Sequence, residues 1–79
     1  MEIKILGTGC PKCKTLEKVT REAVTEMGVN ADILKEEDIV KIMGYGIMYT
    51  PGLVINGKVV SSGRVLSSKE VKELILKNQ

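Results

Sequence analysis

MEIKILGTGCPKC, residues 1–13, runs from an apolar stretch through two glycines to a pair of cysteines. Met1 to Leu6 carries Ile3, Ile5 and Leu6 and stops at Gly7, the pattern of a short strand. Lys4 places a charge in its middle. Gly7-Thr8-Gly9 is a loop. From Pro11 to Met27, residues Cys13, Leu16, Val19, Thr20, Ala23, Val24 and Met27 recur at three- and four-residue steps, which puts them on one face of a helix. Lys14, Glu17, Lys18, Arg21, Glu22 and Glu26 fall elsewhere, with Glu17 and Arg21 in the favourable i,i+4 order. Pro11 suits the first helical position, where its missing N–H has no partner to lose. Gly28 closes the helix as a left-handed cap.

Outward from this unit, Val29 to Leu34 alternates Val29, Ala31 and Ile33 with Asn30 and Asp32, and predicts a second strand. A helix then gathers Glu36, Glu37 and Asp38 at its start, where the macrodipole favours acids. Ile39, Ile42 and Met43 give its buried side, and Gly44 ends it. Tyr45 to Thr50 is loop. Leu53-Val54-Ile55, Asn56-Gly57 and Lys58-Val59-Val60 form a hairpin signal, because a type I′ turn needs positive φ at both central residues. Ser67 and Glu70 make a capping box, and Leu66 with Val71 a hydrophobic staple, ahead of a last helix whose inner face is Val71, Leu74 and Ile75. The order is β-α-β-α-β-β-α. A strand–helix–strand start implies a parallel pair with a right-handed crossover. The closing hairpin makes the sheet a mixed one of four strands, with three helices packed on it in a single α/β domain over residues 1–79.

Composition narrows the chemistry. The 79 residues suit one small domain. Twelve Lys and Arg against ten Asp and Glu leave a net charge of only +2, evenly mixed, so no nucleic-acid partner is expected. The aromatics are two Tyr, without Trp or Phe, which argues against base-stacking platforms. The absence of His removes Ser-His-Asp triads, Cys-His pairs and His-ligated metals. No apolar run approaches the roughly 18 residues of a membrane span. Glu2 and Lys4 interrupt any early signal-peptide core. A soluble, cytoplasmic monomer is expected, with no membrane partner.

Cys10-Pro11-Lys12-Cys13 stands where a strand passes through a loop into a helix. At the N-cap end, unpaired backbone N–H groups and the helix dipole stabilise an anion. A Cys10 thiol there ionises more easily than a free one, whose pKa is about 8.5. Cys13 lies one turn on, within reach of a disulfide, and begins the apolar stripe, so it is the more buried thiol. This division assigns Cys10 as the attacking thiolate. Cys13 is the resolving thiol that closes the Cys10–Cys13 disulfide and releases reduced substrate. Lys12 adds a positive charge beside the pair, or is simply solvated. Two alternatives attach to the same residues. The cysteines could be buried core thiols, although the position at a helix start is that of a redox motif. They could also hold a soft ion such as Cu(I) in a metal-transfer module. Heavy-metal-associated domains, however, follow β-α-β-β-α-β and end on a strand. A structural zinc site needs four ligands, and only two soft ones are present.

Tyr49-Thr50-Pro51 leads into the hairpin, with Pro where a strand can begin. A Cys-Pro-x-Cys after the first strand followed by Thr-Pro before the hairpin resembles the thioredoxin/glutaredoxin superfamily. The similarity runs along essentially the whole chain, including Gly7 to Cys13, Thr50 to Val60 and Gly63-Arg64-Val65. It is nearest to the short, glutaredoxin-like, redox-active disulfide proteins of archaea and bacteria. The resemblance implies a thioredoxin-like fold and a cis Pro51 beside the dithiol. It also implies a Thr50 backbone that pairs with an extended substrate segment, with Gly9 and Gly63 bordering the same site. The implied activity is thiol–disulfide oxidoreduction on disulfide-containing proteins, tuned by Pro11 and Lys12. It needs no cofactor beyond the Cys10–Cys13 disulfide, and its electrons come from a thioredoxin-reductase-like donor. Several positions depart from the superfamily. Gly9 stands where thioredoxins carry Trp, and Lys12 where glutaredoxins carry an aromatic. Ser61-Ser62-Gly63-Arg64 replaces the Gly-Gly and acids that hold glutathione. The first strand has no acid to deprotonate the second cysteine. Tyr45, Ile47, Met48 and Tyr49, with Met43, read as core and loop packing; the alternative is an apolar lip around the dithiol that docks partners.

Overall fold

The structure is a computed structural model that describes residues 1–9 and 11–78. Its elements are β1 (Glu2–Leu6), α1 (Pro11–Met27), β2 (Asp32–Glu36), α2 (Ile39–Gly44), β3 (Gly52–Ile55), β4 (Lys58–Ser62) and α3 (Ser68–Lys77). This is the expected β-α-β-α-β-β-α order, and it ends on a helix. The sheet runs β2-β1-β3-β4. β1 pairs parallel with β2, and β3 runs antiparallel to both β1 and β4. The fold is thioredoxin-like.

Alternation along β1 distributes the core. Ile3 and Ile5, with Leu53 and Ile55 of β3, pack beneath Leu16 and Ala23 of α1 and Val71 and Ile75 of α3. Leu6 and Val54 face the other side, where Ile42 of α2 covers them with half-buried Tyr45 and Ile47. Lys4 shares that second face. Its ammonium donates to the Tyr45 hydroxyl at 3.2 Å and pairs with Glu2 at 3.5 Å, so the charge at mid-strand is held rather than stranded. Tyr45 is also the first cause of the upward shift of the Lys4 pKa. Thr20, wholly buried on the α1 stripe, donates its hydroxyl to the Leu16 carbonyl at 2.7 Å. That bond satisfies its one donor within the helix.

Local signals hold at the ends of the elements. Gly28 takes φ +66°, and Asn56 and Gly57 take φ 51° and 81° in the hairpin turn. The Asn56 side chain ties that turn to the rest of the sheet. Its carbonyl accepts from Glu2 N–H at 2.9 Å, and its amide donates to Asn78 at 3.1 Å. Ser67 and Glu70 form the reciprocal capping box of α3, and Leu66 and Val71 are both buried in the main core.

Two expectations are corrected. The second strand is not Val29 to Leu34 but Asp32–Glu36. Pairing is set by its partner: the Met1 carbonyl takes Asp32 N–H at 2.9 Å, and Glu2 through Leu6 then pair with Asp32 through Glu36. Val29 and Ala31 pack against the core as the link from α1. In the second helix, Glu36 lies in β2 and Asp38 is the N-cap, its carboxylate accepting Val40 N–H at 2.9 Å; no acid lies in the first turn. Of the predicted inner face only Ile42 is buried, while Ile39 and Met43 are 54% and 66% exposed. Six residues reach the sheet through a single side chain.

Ile75 and Leu76 are chemical near-equals on adjacent positions of α3, fully buried and 62% exposed respectively. Ile75→Ala is expected to cost about 2–5 kcal/mol in urea unfolding. Leu76→Ala is expected to stay within about 0.5 kcal/mol of the parent.

Candidate active site

The site forms where β1 runs out. At Gly7 the chain leaves the sheet with one last strand-like bond, its N–H donating to the Glu36 carbonyl at 2.9 Å. It turns through Thr8 and Gly9, the latter at φ +81°. Cys10 lies outside the described residues. α1 begins at Pro11, whose carbonyl accepts the Thr15 hydroxyl at 3.0 Å. Pro11, Lys12 and Lys14 are exposed. Cys13, one turn in, is 6% exposed and joins the buried face of α1.

Gly7 is where the parts meet. A Cβ on it would overlap the Cys13 sulfur, lie 3.1 Å from Cys13 Cβ and reach Thr50 Cβ at 4.0 Å. The second cysteine and the Thr50–Pro51 pair therefore approach one another across a residue that has no side chain. The Thr50–Pro51 peptide is cis, and Pro51 is buried. The Pro51 carbonyl accepts Gly63 N–H at 2.9 Å. Gly63 sits at φ +73°, with Tyr49 Cβ 3.0 Å from where its own Cβ would be. Gly52 is similarly close to Leu6 and Ile47. Thr50, Pro51 and Gly63 thus lie together, with Thr50 beside Gly7.

Two depressions flank this junction. One, of about 270 Å³, is bordered by Gly7, Gly9, Cys13 and Lys14, with Glu17 from α1 and Lys35 and Glu37 from the end of β2 and beyond. The Glu17 side chain, 16% exposed, accepts from Arg21 at 2.9 Å and meets Lys35 at 3.3 Å. The Arg21 hydrogen bond, then Lys35, hold its carboxyl below the ordinary value of 4.5 against the opposing effect of burial. The other depression, about 340 Å³, is an apolar groove beside Thr50 lined by Ile39, Ile42, Met43, Ile47, Met48 and Tyr49. The packing expected of the loop residues holds for half-buried Tyr45 and Ile47. It fails for Met43, Met48 and Tyr49, which are 66%, 87% and 71% exposed, as a lip would be. Among the described residues no three His, Cys, Asp or Glu side chains are grouped to hold a metal ion, and no helix is long and apolar enough to cross a membrane.

Sequence reasoning passed over Gly7, Glu17 and Lys35. Gly7 looked like any loop glycine, since its neighbour Cys13 arrives only through the fold. Glu17 was legible as the partner of Arg21 but not of Lys35, eighteen positions away.

The thioredoxin-domain family matches this chain over residues 1–76. A thioredoxin of Methanothermobacter thermautotrophicus is 41% identical over 75 residues, covering 95% of this chain and 97% of its own. A thioredoxin of Methanocaldococcus jannaschii is 38% identical over 71 residues, covering 90% of this chain and 81% of its own.

Gly7→Ala drives a methyl into the Cys13 sulfur and is expected to destabilise by about 1–3 kcal/mol, as overpacking does. Gly44→Ala, in open space at the end of α2, is expected to be neutral or to stabilise by up to about 1 kcal/mol. Urea unfolding of both variants checks the contrast. The lowered Glu17 pKa means that its stabilisation is complete above the ordinary carboxylate value of 4.5 and is lost as pH falls through the depressed one. Glu17→Gln is therefore expected to flatten the acid limb of the stability–pH curve.

Proposed function

The chain belongs to the thioredoxin family, and on that premise we propose that it is a thiol–disulfide oxidoreductase that reduces protein disulfides through Cys10 and Cys13. One observation carries the proposal. Cys13 is buried at the first turn of α1, against Gly7, on the side where the cis Thr50–Pro51 peptide approaches. A thiol one turn into α1 and beside Thr50 is placed to serve as the resolving partner of Cys10. The relatives named thioredoxin support the same reading.

In the proposed cycle the Cys10 thiolate attacks one sulfur of a substrate disulfide. A mixed disulfide forms, and the other substrate sulfur leaves as a thiolate that takes a proton from solvent. Cys13, as thiolate, attacks the Cys10 sulfur; the bond from Cys10 to substrate breaks, and the second substrate sulfur leaves. Two electrons have passed to the substrate, and Cys10–Cys13 is oxidised. A thioredoxin-reductase-like donor returns them. In a reducing cytoplasm the direction is reduction. Pro11 shapes the motif and Lys12 adds positive charge near Cys10. Thr50 offers its backbone to an extended segment by strand addition, Gly9 and Gly63 border it, and the Met43, Met48 and Tyr49 groove takes apolar side chains, for which flexible methionines suit varied shapes.

Cys10→Ser is expected to abolish reduction of a model protein disulfide such as that of insulin. Cys13→Ser is expected to stall as a covalent mixed disulfide visible by mass spectrometry. Full turnover by Cys10→Ser protein would sink the mechanism.

A further inference from the structure

The chain has four methionines, and the fold divides them into two pairs. Met1 and Met27 are half-buried and pack against the main core. Met43 and Met48 are 66% and 87% exposed. One stands on α2 and the other in the loop that leads to Thr50, and both line the apolar groove of about 340 Å³. Ile42 is buried there and Ile47 half-buried, so the rim that a partner meets is Ile39, Met43, Met48 and Tyr49. Among the described residues the lining of the groove has no charged side chain.

Of these rim side chains the two thioethers are open to oxidation by a peroxide. The sulfur lone pair attacks one peroxide oxygen. The S–O bond forms, the O–O bond breaks, and the departing hydroxide takes up the proton lost from the transferred oxygen, so that water leaves. The sulfur is oxidised by two electrons and the peroxide is reduced by two. A flexible apolar side chain becomes a polar, chiral one. Pressed against an apolar side chain of a partner, the new oxygen loses its water without gaining a charged donor from the groove, and burial of an unpaired polar group is unfavourable.

We propose that Met43 and Met48 form a peroxide-sensitive modification site, and that their sulfoxides weaken the docking of protein substrates while leaving the dithiol chemistry intact. The proposal rests on the oxidoreductase reading above, which gives the groove its occupant. The sensitive sulfurs border Thr50. Among the described residues the lining of the Cys13 cleft contains no methionine. Docking and sulfur exchange therefore meet an oxidant through different residues. Sulfoxide reductases return the side chain to methionine, so the change is reversible.

The test treats protein in the Cys10–Cys13 disulfide form with hydrogen peroxide, so that the paired cysteines do not compete for it. The peroxide is removed and the dithiol is regenerated with dithiothreitol, which leaves sulfoxides in place. Peptide mass spectrometry follows each methionine, and Met43 and Met48 are expected to gain oxygen well before Met1 and Met27. The KM for insulin is expected to rise roughly three- to tenfold with kcat little changed, as when a polar oxygen is buried unpaired at a binding surface. Reduction of hydroxyethyl disulfide, too small to need the groove, is expected to keep its rate. A pair of methionine sulfoxide reductases, one for each epimer, is expected to restore the insulin KM. The double variant Met43→Leu, Met48→Leu is compared with itself before and after peroxide, and its KM is expected not to move. Oxidation of Met1 or Met27 as early as the groove pair would overturn the proposal. So would an unchanged insulin KM once Met43 and Met48 are fully converted, or an equal rise in the leucine variant. A parent protein that reduces neither substrate before peroxide is added removes the oxidoreductase reading itself, and the proposal with it.

Discussion

β1 is hydrogen-bonded along both edges and covered on both faces, and every other part of the molecule is placed by reference to it. Its parallel edge fixes β2 from Asp32 onward, and its antiparallel edge fixes β3. Ile3 and Ile5 set the layer under α1 and α3, and Leu6 the layer under α2. Lys4 is tolerated because the thinner layer beside α2 brings it the Tyr45 hydroxyl and leaves its head near water. Long cationic side chains can bury a stem and keep the charge wet in this way. The strand has no spare position: each of its residues is committed to a face or an edge, and Gly7, which keeps one last bond to Glu36, follows it directly into the loop.

The two halves of the site differ in character. On the α1 side the cleft at Cys13 is lined by charges from three segments. On the Pro51 side the groove is apolar and its rim is exposed. Gly7 borders the first and comes near Thr50 of the second.

Much of this was legible in the residues. Periodicity gave α1 from Pro11 to Met27, because a seventeen-residue amphipathic stripe is a long signal. Asn56-Gly57 and Ser67 with Glu70 were legible because turn and cap chemistry is local. β2 began three residues later than its alternation suggests, since an edge strand takes its limits from its partner. Ile39 and Met43 kept helical spacing but found nothing to cover them, and spacing alone carries no information about cover. The cis state of Thr50–Pro51 was accessible only through resemblance to other proteins. Gly7 and Lys35 acquire their meaning from residues brought close by the fold.

β3 and β4 do not pair evenly. Leu53 opposes Ser61 and Val54 opposes Val59, so Val60 is an extra residue in the outer strand. A bulge of this kind bends a strand and sharpens its twist. β4 is one margin of the sheet; β2, with Asp32, Lys35 and Glu36, is the other. A twisted, interrupted ribbon on one side and a row of charges on the other are poor templates for a further strand from another chain. The same fold thereby discourages copies of itself from stacking edge to edge, which would keep the strand addition proposed at Thr50 separate from aggregation at the rims.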